Sequence, residues 1–120
     1  MPLAQFLHEG LARTLVLYFL AVAVWGIVAW RRGTGVTASY WGALVIAEAI
    51  GIAQGASGAL LALDRPLREP VHVLYGLSIV LALPLAHTYA RGKPAARQSL
   101  VYGLAALFAV GLSLRGIQTG

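Results

Sequence analysis

Three histidines and one carboxylate, Glu48, lie in or against the longest apolar runs of this chain, and they are where its chemistry is to be sought. His72 and His87 stand near the two ends of the run VHVLYGLSIVLALPLAHTYA, residues 71–90. As a helix this run separates them by about 22 Å and by about 60° around the axis. His8 precedes another run, which starts at Leu11. If neighbouring runs are antiparallel helices, His8 and His72 come to one depth on different helices. Two imidazoles so placed are what axial ligation of a b-type haem iron requires. Arg13, Arg65 and Arg68 fall on the same side, where guanidinium groups pair with haem propionates. Gly76, one turn beyond His72, leaves room for a flat ring. The plainer reading is that both imidazoles are solvated or hydrogen-bonded at the interface. His87 is the candidate on the second side, beside Tyr89 and Arg91, and has no other histidine at its depth. No third ligand groups with His8 and His72, which argues against a divalent metal site.

Glu48 is the one charged-type residue deep within an apolar run. A carboxyl is expensive in hydrocarbon, so it is expected to face the bundle interior, a cavity or a partner subunit. Two readings stand: a proton site or ligand to a quinone hydroxyl, and a neutral acid hydrogen-bonded to a neighbouring helix. The same run carries Ala43, Ala47, Gly51, Gly55 and Ala59 at four-residue spacing. Small residues at that spacing let helix backbones approach closely, so the stripe is expected to be a tight helix seam, within the chain or in self-association. The alternative is that it clears room for a porphyrin or quinone ring.

These residues need elements to hold them. A helix crossing a bilayer core takes about 20 apolar residues. Four segments qualify, at about 11–30, 39–63, 71–90 and 99–114, the last short enough to need snorkelling ends. The first is longer than a signal core and has no basic cluster before it, so a membrane helix is expected there. The connections RRGTGVTA, DRPLREP and RGKPAARQ are short, which makes neighbours antiparallel. The fold class expected is all-α: one transmembrane domain over residues 1–120, an up-down four-helix bundle. Pro84 interrupts the hydrogen-bond ladder of the third helix at the Val80 carbonyl.

Composition agrees. Of 120 residues 59% are hydrophobic and 11% charged, against about 25% charged in soluble domains; the mean hydropathy is +0.78. With no cysteine there are no disulfides, thiolate metal sites or covalent c-type haem. The net charge of +5 sits at the ends of apolar runs, where it orients helices, and no basic surface for nucleic acid is formed. Arg31, Arg32, Arg91, Lys93 and Arg97 share one side; Arg13, Arg65, Arg68 and Arg115 share the other. Trp30, Tyr40, Trp41, Tyr89 and Tyr102 also belong to the five-charge side. That side is expected in the cytoplasm, with both termini on the outer side of a bacterial inner membrane.

The stretches FLHEGLARTLVLY, IAQGASGALL, VHVLYG and LAHTYARG give the chain a resemblance to four-helix membrane haem proteins, the cytochrome b561-like bundles and haem A synthase half-domains. Those families carry a histidine at a helix entry, then an arginine, then further histidines on a later helix; His8, Arg13, His72 and His87 match. The resemblance implies haem binding, electron transfer or quinol chemistry. The fourth helix has no histidine, so a usual ligand position of multi-haem members is missing. Three functions are expected, in order: an accessory subunit of a respiratory or photosynthetic electron-transfer complex; a haem b or quinone module using His8 and His72; and an oligomeric transporter with Glu48 as proton or ion site. No hydrolase constellation is visible, and the chain is not expected to act as an enzyme on its own. Its expected partners are the lipid bilayer, other membrane subunits or further copies of itself.

Overall fold

The structure, a computed structural model, describes residues 2–64 and 70–119. The chain forms α1 (Pro2–Arg31), α2 (Ala38–Asp64), α3 (Val71–Ala90) and α4 (Ala95–Thr119), with no strand among the described residues. All four helices are long and apolar enough to cross a membrane. The molecule measures 47 × 21 × 19 Å, which exceeds a hydrocarbon core of about 30 Å. Large apolar side chains such as Leu17, Val45, Ile52, Leu74 and Phe108 cover the outside. This is the surface of an integral membrane protein, whose solvent is lipid.

The helices pack in a square. α1 touches α2 and α4, α3 touches α2 and α4, and the diagonal pairs make no close backbone approach among the described residues. The α1–α4 seam is the most extensive and the α2–α3 seam the slightest. The core is a column of Leu15, Phe19, Leu44, Ile79, Leu83 and Ala106.

Helix ends follow local chemistry. Gly33, at φ 72°, closes α1: its N–H donates to the Trp30 carbonyl, and the Thr34 N–H donates to that of Ala29. This is a Schellman stop, which glycine makes without a Cβ clash. Thr37 caps α2, its Oγ1 accepting the Tyr40 N–H at 3.1 Å. α3 runs through Pro84 without a break.

Three helix ends differ markedly from expectation. α1 begins at Pro2 rather than Leu11, and α4 spans 95–119 rather than 99–114. The three extensions are more polar than the runs they prolong, and a hydropathy criterion stops where the helix leaves hydrocarbon. His8 is therefore in the second turn of α1 rather than ahead of it.

The closest helix approach also lies elsewhere. Ala47 and Gly51 are buried, but a Cβ on Gly51 or Gly55 would meet only Ile79 and Val80 of α3, at 3.8 Å. Gly55 and Ala59 are exposed. The tight crossing is Gly26 of α1 on Gly103 of α4. A Cβ on Gly26 would come within 2.8 Å of the Gly103 Cα and the Ser99 carbonyl, and would strike the Tyr40 hydroxyl. Tyr40, 1% exposed, fills the notch and donates to the Val22 carbonyl at 2.9 Å.

Candidate binding cleft and the paired histidines

At the end of the bundle that carries both termini, α1 and α3 are diagonal partners, yet His8 and His72 reach across and meet. Their ring centroids are 6.0 Å apart, with the planes at 72°. His8 Nδ1 lies 3.2 Å from the Gln54 carbonyl and 3.1 Å from Ser57 Oγ, tying α1 to α2. His72 Nδ1 lies 3.1 Å from Thr119 Oγ1, tying α3 to α4. The His8 ring rests on Gly58, where a Cβ would come within 2.9 Å of its Cε1. The common depth of the two histidines is thus real, and it brings them into direct edge contact.

The other residues expected around a haem are less gathered. Arg13 is exposed; five residues from His8 is about 140° of helical rotation, so it leaves from another face. Gly76 faces open space, with nothing within 4 Å of a Cβ placed there. Arg65 and Arg68 lie outside the described residues. Among the described residues no three metal-ligating side chains of the His, Cys, Asp and Glu types group together.

The five-charge end holds a second constellation. His87 Nδ1 is 2.8 Å from the Tyr102 hydroxyl, joining α3 to α4. Trp41 of α2 lies against both, with ring centroids 5.4 Å from His87 and 6.2 Å from Tyr102. These three side chains line two adjoining cavities. One, of about 320 Å³, opens by Val36, Thr37 and Gln98, where the α1–α2 and α3–α4 connections meet. The other, of about 210 Å³, runs inward past Leu44 and Pro84 to Glu48. It occupies the α2–α3 seam, and exposed Val45 at its edge faces the lipid side.

No protein-family model, curated protein or solved structure matches this chain. The site therefore has to be read from its own geometry.

Glu48 Oε1 is buried and has no hydrogen-bond partner, and among the described residues only Gln54 Oε1 shares that condition. A buried polar oxygen left unpaired costs roughly 1–3 kcal/mol, so the expected hydrogen bond from Glu48 to a neighbouring helix is not what offsets its burial. The carboxyl instead lines the cavity that His87 and Tyr102 head. Side chains on a helix lean toward its N-terminus, which in α2 is the Trp41 end, so Glu48 reaches back toward that pair.

Sequence reasoning put Trp41 and Tyr102 at the right end but took them for interfacial aromatics. One signal was available: Trp41 and Glu48 are seven residues apart, two turns on one face. Tyr102 as the partner of His87 had no signal, since nothing in sequence couples α3 to that position of α4.

Proposed function

We propose that this chain is an accessory subunit of a larger membrane electron-transfer complex. One observation carries the reading: a set of polar side chains along the bundle ties its helices and connections to one another. Tyr18 donates to the Ala43 carbonyl at 3.0 Å, and Tyr40 binds α1 in return. Ser99 of α4 donates to the Thr34 carbonyl at 2.8 Å, and each histidine adds a tie between helices. Interhelical hydrogen bonds of this kind are worth about 0.6–2 kcal/mol each in membranes. A self-locked bundle of four spans, with short connections and an apolar exterior, suits a part that fills and spaces a larger assembly. The exposed half of the small-residue stripe, Gly55 and Ala59, supplies a surface on which a partner helix or a second copy can pack closely. The more basic end is assigned to the cytoplasm by its arginines and lysine.

The test is mild-detergent extraction of the tagged chain from its native membrane, followed by identification of what migrates with it. Stoichiometric recovery of redox subunits supports the proposal. Recovery of the chain alone from membranes in which electron transfer is intact rejects it.

The paired imidazoles favour a second reading, a haem b redox module held by His8 and His72. Each has Nδ1 against an oxygen acceptor, the kind of contact that orients histidine ligands. Insertion of a porphyrin needs the edge contact to open. A reduced-minus-oxidised spectrum of protein made with haem available decides this. Sharp visible bands lost in His8→Ala and His72→Ala support it, and a flat spectrum removes it.

A further inference from the structure

We infer that the cleft between α2, α3 and α4 binds a lipid-soluble ring compound of the hydroquinone class, held by oxygens at opposite edges of the ring. The inference stands apart from any partner complex and from the paired histidines at the other end.

Three features define the occupant. The first is the wall. Leu44, Val45, Leu83 and Pro84 make the inner cavity almost wholly apolar, and Trp41 offers an indole at its head. Its place in the slight α2–α3 seam lets an apolar molecule enter sideways from the bilayer. The outer cavity, of about 320 Å³, reaches the lower bound of small-molecule sites, about 300–1,000 Å³, and the adjoining inner one adds about 210 Å³.

The second is the inner polar contact. Glu48 lines this cavity, and its buried Oε1 has no hydrogen-bond partner. An ionised carboxyl only accepts, and a neutral one still accepts through its carbonyl oxygen, so a complement in either state is a hydroxyl donor brought in by an apolar body.

The third is the outer contact. If the Tyr102 hydroxyl donates to His87 Nδ1, the imidazole retains an Nε2–H donor; if His87 Nδ1–H donates, the tyrosine hydroxyl remains a donor. Either tautomer leaves the pair one donor for a ring oxygen. A ring with a hydroxyl at its inner edge and an oxygen opposite satisfies both ends. The hydrocarbon tail of a lipid has neither oxygen, and a phospholipid headgroup is too polar for the inner cavity.

The probe is tetramethylhydroquinone, kept reduced under anaerobic conditions, added to the full chain in lipid nanodiscs. Trp41 emission is followed in a Trp25→Phe/Trp30→Phe background. The control ligand is the same ring with both oxygens methylated, which keeps shape and apolarity but cannot donate. Saturable quenching is expected, with the hydroquinone binding at least about tenfold more tightly than its dimethyl ether, the worth of one buried hydrogen bond. Glu48→Met is expected to abolish that preference, while Glu48→Gln, which retains Oε1, stays within about threefold of the parent. Equal binding of the two ligands, quenching that never saturates, or a preference that survives Glu48→Met overturns the proposal. The ligand pair alone tests the parent protein, so a variant that fails to fold does not spare it.

Discussion

His87 on α3 and Tyr102 on α4 are joined by a 2.8 Å contact between Nδ1 and the phenolic hydroxyl, at the head of a cleft whose inner wall carries Glu48. Tyr102 is 5% exposed while the His87 ring stands at the open side of the cleft, so the bond is half-buried. Removing the hydroxyl with Tyr102→Phe leaves the imidazole without this partner and keeps the ring packing. A loss of about 1 kcal/mol is expected, read as a lowered midpoint in a denaturing-detergent titration. An unchanged midpoint shows that the contact contributes nothing to holding α3 on α4.

Glycine replacements rank the helix seams. Gly26→Ala drives a methyl group into Gly103 and the Tyr40 hydroxyl and is expected to cost about 2–3 kcal/mol, as overpacking does. Gly51→Ala meets only Ile79 at 3.8 Å and is expected to stay within about 0.5 kcal/mol of the parent. Comparison of the two midpoints checks it; the reverse order places the tight seam on α2–α3.

Glu48→Leu removes an unpaired buried oxygen and adds apolar surface facing an apolar cavity. Stability is expected to rise by about 1 kcal/mol. A fall in the midpoint means that Glu48 holds a partner helix.

The two histidines at the terminal end are expected to be coupled. Rings at 6.0 Å in edge contact give about 0.5–1.5 kcal/mol in a double-mutant cycle of His8→Ala and His72→Ala. Gly58→Ala removes the seat of the His8 ring and is expected to reproduce the His8→Ala midpoint. Additive single effects refute the contact.

Much of the architecture was legible from residues alone. Four apolar runs of bilayer length, broken by Gly, Pro and Arg, leave an antiparallel bundle as the economical solution, because short connections cannot carry the chain back across a membrane. The common depth of His8 and His72 followed from the same reasoning. The ends of α1 and α4 did not, since hydropathy marks where lipid stops and not where the backbone ladder stops. The seam between Gly26 and Gly103 was half legible: Ser99 and Gly103 have small-residue spacing, but Gly26 stands out only once Tyr40 is known to lie over it.

Sequence by itself determined that this is a membrane protein of four helices, which residues share a depth, and which end is more basic, because each is a property of single helices and their order along the chain. Tertiary structure alone decided which side chains touch. Rotation of a helix about its axis is almost free of sequence cost when every face is apolar, so only packing chooses the face. That choice set His8 against His72, His87 against Tyr102, and the carboxyl of Glu48 into an apolar cleft with its Oε1 unpaired.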